Sequence, residues 1–189
     1  PSLGSSLAYV DAKEATVSVP YERDSNGDSL LRPGPVGEYL EIVDVDPASD
    51  QFYPLVDLDD PRLLLQDGLA PSEGNPKFHQ QMVYAVAMRT IESFEDALGR
   101  KALWAEHRRP KDAPGGPGYE YVPRLRIYPH ALRAKNAYYS PARGALLFGY
   151  FPAESSAGDA TAPGTLVFGC LSADIIAHEM THALLDGYT

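Results

Sequence analysis

The stretch Ser172-Ala-Asp-Ile-Ile-Ala-His178-Glu179-Met-Thr-His182-Ala-Leu-Leu-Asp186-Gly187 constrains this chain more than any other. It reads as an amphipathic helix. Ser172 supplies an N-cap, Asp174 a negative charge in the first turn, and Gly187 a natural stop. Ile175, Ile176, Ala183 and Leu184 supply the buried stripe. Residues four apart on a helix share a face, with Cβ atoms about 5–6 Å apart. His178 and His182 can therefore aim two imidazole nitrogens at one point, the geometry a Zn²⁺ ion needs at about 2.0–2.1 Å from each. Glu179 is turned about 100° from His178, at about 3.6 residues per turn. It stays off the ion but close to a water on it, where a carboxylate serves as general base. The plain alternative is a helix whose histidines satisfy core hydrogen bonds and whose glutamate faces solvent.

The segment Asp174 to Thr189 resembles the zinc helix of thermolysin-like metallopeptidases, the gluzincin group. Asn136-Ala137-Tyr138-Tyr139 and Leu146-Leu-Phe-Gly-Tyr150 resemble that family's edge strand and its return strand. A long helix from Pro76 sits where the family has its first long helix, so the similarity covers residues 76 to 189. The resemblance implies a zinc metallopeptidase with His178 and His182 on the metal and Glu179 as general base on a zinc-bound water. It implies that Asn136, Ala137 and Tyr138 bind an extended peptide by strand addition, which recognises main chain rather than sequence.

The family takes its third zinc ligand from a glutamate on a later helix, and the sequence ends seven residues after His182. A third histidine six residues after the second, the other familiar arrangement, would fall at Tyr188. Asp186 lies about 12 Å along the axis from His178, at about 1.5 Å per residue. It cannot join both histidines on one ion. The expectation is thus the N-terminal portion of a metalloendopeptidase, inactive as these 189 residues alone, whose partners are a peptide or protein substrate and the C-terminal remainder of the same polypeptide. The competing expectation is a non-catalytic binding or scaffold domain that keeps an incomplete zinc motif.

The expected fold is α+β: a twisted, mainly antiparallel sheet with a long helix and the zinc helix packed on it, like the N-terminal lobe of thermolysin. Residues 1–75 form an extended, acidic region with short strands, and residues 76–189 form the metallopeptidase lobe. Ala8-Tyr-Val, Thr16-Val-Ser-Val and Tyr39 to Val45 carry strand-like β-branched and aromatic residues. Asp24-Ser-Asn-Gly27 and Arg32-Pro-Gly-Pro35 are turn signals, and Pro61 to Gln66 reads as a short helical turn. Asn75 as cap, Pro76 at the first position and Gly99 beyond the end bound a helix over 76–98. Residues 119–128 and 145–151 read as strands. Arg108–Gly118 and Ala153–Gly164 read as loops.

Net charge is −10, which argues against nucleic acid and anionic membrane as partners. There is no apolar run long enough to span a bilayer and no signal segment after Pro1, which reads as a soluble chain of undetermined compartment. Asp44, Asp46, Asp50, Asp57, Asp59 and Asp60 supply oxygen ligands of the kind Ca²⁺ takes. Without a calcium-loop pattern they read as a solvated acidic face. Cys170, the only cysteine, reads as a small buried hydrophobe. His79 reads as structural, and His107 and His130 as loop residues without a role.

Overall fold

The computed structural model describes residues 16–109, 114, 116, 118–154 and 162–189. The strand expected at Ala8–Val10, and parts of the loops expected at 108–118 and 153–164, lie outside the described residues. Strands β1 (Leu40–Ile42), β2 (Val45–Asp46) and β3 (Gln51–Phe52) lead to a short helix α1 (Pro61–Leu64) and a long one, α2 (Pro76–Leu98). Strands β4 (His107–Arg109), β5 (Gly118–Glu120), β6 (Leu125–Leu132), β7 (Ala137–Ser140), β8 (Ala145–Pro152) and β9 (Leu166–Phe168) follow. A 3₁₀ turn at Gly169–Leu171 then feeds the last helix, α3 (Ala173–Tyr188). No helix among the described residues is long and apolar enough to cross a membrane.

The fold is α+β, but its sheet is mixed, not mainly antiparallel. The strand order is β1-β6-β8-β7, with β9 pairing the far end of β8. Both β1 and β8 run parallel to β6, while β7 and β9 run antiparallel to β8. The reason lies in the connection between β1 and β6. It contains the 23-residue α2, which carries the chain back across the sheet so that β6 starts at the same end as β1.

Local chemistry sets the helix ends. Asn75 Oδ1 accepts from the Lys77 amide at 3.1 Å, and Gly99 takes the left-handed conformation that closes α2. Ser172 Oγ accepts from the Ile175 amide at 3.4 Å to open α3. Gly187 does not stop α3, which runs on through Tyr188. It is needed for a different reason: a Cβ there would stand 2.9 Å from the Leu103 carbonyl carbon and 3.2 Å from the Trp104 Cα. The helix end lies directly on the 103–104 backbone.

The core is a sandwich of sheet and helices. Leu40, Ile42, Leu125, Ile127, Leu146 and Phe148 from the sheet meet Val83, Tyr84, Ala87 and Ile91 of α2. Ile176, Met180, Ala183 and Leu184 of α3 complete it. Strand β6 alternates buried Leu125 and Ile127 with exposed Arg126, as a strand with one covered face should. Strand β8 is buried at every residue from Ala145 to Tyr150, as a central strand covered on both faces should be.

The stretch expected to be a solvated acidic face is not solvated throughout. Asp44 and Asp46 are buried at 3% and 2% exposure. Asp46 accepts from Tyr150 Oη at 2.8 Å and from the Ala48 amide at 3.0 Å. Asp60 caps α1 through the Arg62 amide at 2.8 Å. Among the described residues these aspartates form no three-carboxylate cage for Ca²⁺. The two histidines expected in loops both lie in strands: His107 in β4, and His130 in β6 with 1% exposure.

Candidate metal and peptide site on helix α3

The heptad-like spacing of Ile176, Met180, Ala183 and Leu184 turns one face of α3 into the core. That leaves His178 and His182 on the exposed face, and Glu179 at the boundary with 9% exposure. The two imidazoles meet edge to face with centroids 4.7 Å apart, and their Nε2 atoms stand 3.2 Å from each other. Two nitrogens about 2.0–2.1 Å from one tetrahedral ion stand about 3.3–3.4 Å apart. The spacing of the pair therefore suits a shared zinc ion with almost no movement of either ring. Among the described residues, no third His, Cys, Asp or Glu completes a three-ligand set with them. Asp186 is engaged elsewhere, as the acceptor of the Tyr139 hydroxyl at 2.8 Å.

Strand β7 is brought against this helix by two bonds from one residue. The Tyr139 amide donates to Glu179 Oε2 at 2.9 Å, and its hydroxyl donates to Asp186. Burial, and then the Asp186 carboxylate, push the Tyr139 phenol above its ordinary pKa, so it stays a donor. Tyr139 thus bridges positions 179 and 186 of α3 and holds the sheet edge at a set distance from it.

The register of β7 decides which backbone groups are free. Asn136 C=O accepts from the Gly149 amide of β8 at 2.8 Å, so residue 136 faces its partner strand. Alternation then turns the amides and carbonyls of Ala137 and Tyr139 away from β8, toward the open edge. The Tyr139 amide bond to Glu179 agrees with that phase. Asn136 itself is exposed just ahead of the strand. Gly149 permits the close approach, because a Cβ there would stand 3.2 Å from the Ala134 carbonyl carbon.

Between β7 and α3 opens a cleft of about 630 Å³ lined by Tyr138, Tyr139, Glu179, His182, Leu185 and Asp186, among others. Tyr138 and Leu185 leave 37% and 52% of their surface exposed beside it. Of the residues singled out in the sequence, Glu179 and His182 on α3 and Tyr138 on the facing edge line this cleft, whereas His178, Asn136 and Ala137 are not part of its lining. Tyr139 and Asp186 were not expected as a pair. The only sequence sign of it is that Tyr139 falls in the segment that resembles the family's edge strand. Compared with family models, curated proteins and solved structures, the chain matches none of them.

Proposed function

We propose that this chain is the N-terminal portion of a zinc-dependent metalloendopeptidase. One observation carries this: two imidazole nitrogens at zinc-sharing distance lie on the same helix as a carboxylate that is hydrogen-bonded to the outer edge of β7. His178 and His182 would hold the ion. An ion held there would supply Lewis-acid chemistry toward a carbonyl and toward a water. Glu179 keeps Oε2 on the Tyr139 amide, and its other oxygen would serve as general base toward a water and then as proton donor to the leaving amine. The outward amide and carbonyl of Ala137 and the outward carbonyl of Tyr139 add an extended substrate peptide as a further strand, with the Asn136 side chain at the head of that strand. The Tyr138 ring walls the cleft. Catalytic zinc usually has three protein ligands and a water. The third ligand is assigned to a carboxylate on a later part of the same polypeptide.

The test is metal analysis and cleavage of a fluorogenic peptide, by these 189 residues and by the polypeptide extended past Thr189. The shorter chain is expected to hold zinc weakly and cleave poorly, and the extended one to do both well. In the latter, Glu179→Gln should keep the metal and lose at least about 100-fold in turnover, the usual share of a general base. Stoichiometric zinc without any cleavage, unchanged by Glu179→Gln, would identify a scaffold instead.

A further inference from the structure

Away from the cleft, three side chains with metal-binding atoms meet in the interior. His79 on α2, His130 on β6 and Cys170 in the turn before α3 are exposed by 1%, 1% and 0%. One ligand atom from each lies within 4.8 Å of the others. They come from three separate elements, and the 3₁₀ turn ends two residues before α3 begins.

With both rings neutral and Asp44 ionised, the proton count leaves a gap between the rings that a positive centre fills. His79 Nε2 faces the Glu73 carbonyl at 2.9 Å, and a carbonyl only accepts, so this nitrogen carries a hydrogen. His130 Nδ1 faces Asp44 Oδ1 at 2.6 Å, and an ionised carboxylate also only accepts. The other Asp44 oxygen accepts from Gln80 Nε2 at 2.7 Å. Gln80 is held in that orientation because its Oε1 accepts from the Val56 amide at 2.8 Å. With Asp44 ionised and both rings neutral, each ring has its proton on the outer nitrogen. The inner nitrogens, His79 Nδ1 and His130 Nε2, are left bare and face each other at 2.8 Å. Two lone pairs at that distance repel unless a positive centre sits between or beside them.

Charge points the same way. Among the described residues no lysine or arginine pairs with Asp44, whose Oδ1 meets only the N–H of the neutral His130 ring. A buried carboxylate without a counter-charge is costly. Phe168 packs on His79 with centroids 4.6 Å apart, and Tyr53 on His130 at 4.8 Å, so the surroundings are aromatic. The outer bonds are those that orient metal-ligating histidines, one ring to a carboxylate and the other to a backbone carbonyl.

We propose that His79, His130 and Cys170 form a buried zinc site, distinct from the histidine pair on α3. Zinc enters with loss of the Cys170 thiol proton to solvent. The ion's two positive charges are then balanced by the Cys170 thiolate and the Asp44 carboxylate. A monovalent ion in the same place would leave one negative charge in the interior. Tetrahedral zinc sets the nitrogens about 3.3–3.4 Å apart and each nitrogen about 3.5 Å from sulfur. The ring pair opens by about 0.5 Å and the thiol closes in, with a fourth position left for water or another ligand. The site ties α2, β6 and the entry to α3 together, and so fixes the start of the helix that carries His178 and His182.

The test removes the other pair first. His178 and His182 are exposed, so the protein carrying His178→Ala and His182→Ala keeps its core. After dialysis against zinc it should retain one equivalent, with one sulfur and two nitrogen scatterers at the zinc X-ray absorption edge. Cobalt in place of zinc should give a thiolate-to-metal charge-transfer band. Adding Cys170→Ala should abolish that band and weaken binding at least about 100-fold, beyond the 10–100-fold typical of groups outside the ligand set. The absorption measurement leaves the core unaltered, so it decides the matter where Cys170→Ala fails to fold. No retained metal, or zinc without a sulfur neighbour, overturns the proposal. Histidine ¹⁵N spectra showing a proton shared between rings 79 and 130 in a metal-free protein would identify what replaces it.

Discussion

Replacing Gly187 by alanine sets two effects of opposite sign against each other. Inside an open helix the change is stabilising by about 1 kcal/mol, because alanine loses less conformational freedom than glycine. Here the new methyl would stand 2.9 Å from the Leu103 carbonyl carbon and closer still to its oxygen. Carbon atoms in contact settle about 3.5–4.0 Å apart. The last turn of α3 must therefore retreat from residues 103–104 by on the order of 1 Å. The obstacle is backbone, which cannot rotate aside as a side chain can. Overpacking of this kind costs about 1–3 kcal/mol, and a backbone obstacle puts it at about 3. Subtracting the helix gain leaves a net loss of about 2 kcal/mol. With a urea dependence of about 2 kcal/mol per M, the unfolding midpoint should fall by about 1 M, with an unchanged slope. Circular dichroism during urea titration reads this directly. A midpoint that stays or rises would show that Gly187 sits in open space and that the close approach to Leu103 is wrong.

The remaining predictions concern the helix cap and the alkaline limb. Ser172→Ala removes the acceptor for the Ile175 amide, a long bond at 3.4 Å, so the cost should be about 0.5–1 kcal/mol. That lowers the melting temperature by about 1–4 °C, and Ser172→Asp should restore it. Burial, then the charge of Glu22 and the hydrogen bond to it, raise the Tyr84 phenol above its ordinary pKa. Its share of stability is therefore complete below about pH 10, the unfolded value, and is lost as pH rises beyond it. In Tyr84→Phe the fall in unfolding free energy above that pH should be shallower by about 1.4 kcal/mol per pH unit. The variant should also be about 1 kcal/mol less stable at neutral pH, for the lost bond to Glu22 Oε1 at 3.1 Å. Equal alkaline slopes in urea titrations would refute it.

What was legible in the amino-acid order is what depends on neighbours in sequence. The span of α2 from Asn75 to Gly99 and the Ser172 cap of α3 follow from side chains that bond amides two or three residues away. The facing of His178 and His182 follows from helical pitch alone, and their nitrogens stand 3.2 Å apart without any tertiary partner between them. Strand direction was not legible. Alternation along Leu125 to Ile127 says which face is buried but not which way the neighbouring strand runs, and the crossover through α2 made the pairing with β1 parallel. Gly187 looks the same in sequence whether it ends a helix or makes room for one, and only the approach of Leu103 distinguishes the two. The same limit hid the buried group. His79, His130 and Cys170 are separated by 51 and 40 residues with no motif spacing, and each reads alone as an ordinary core or loop residue. Asp44 reads as one of an acidic run until β6 brings His130 against it at 2.6 Å. Covalent spacing controls contacts within a turn or two of helix, whereas contacts across the core depend on how the elements pack, and that depends on the whole chain at once.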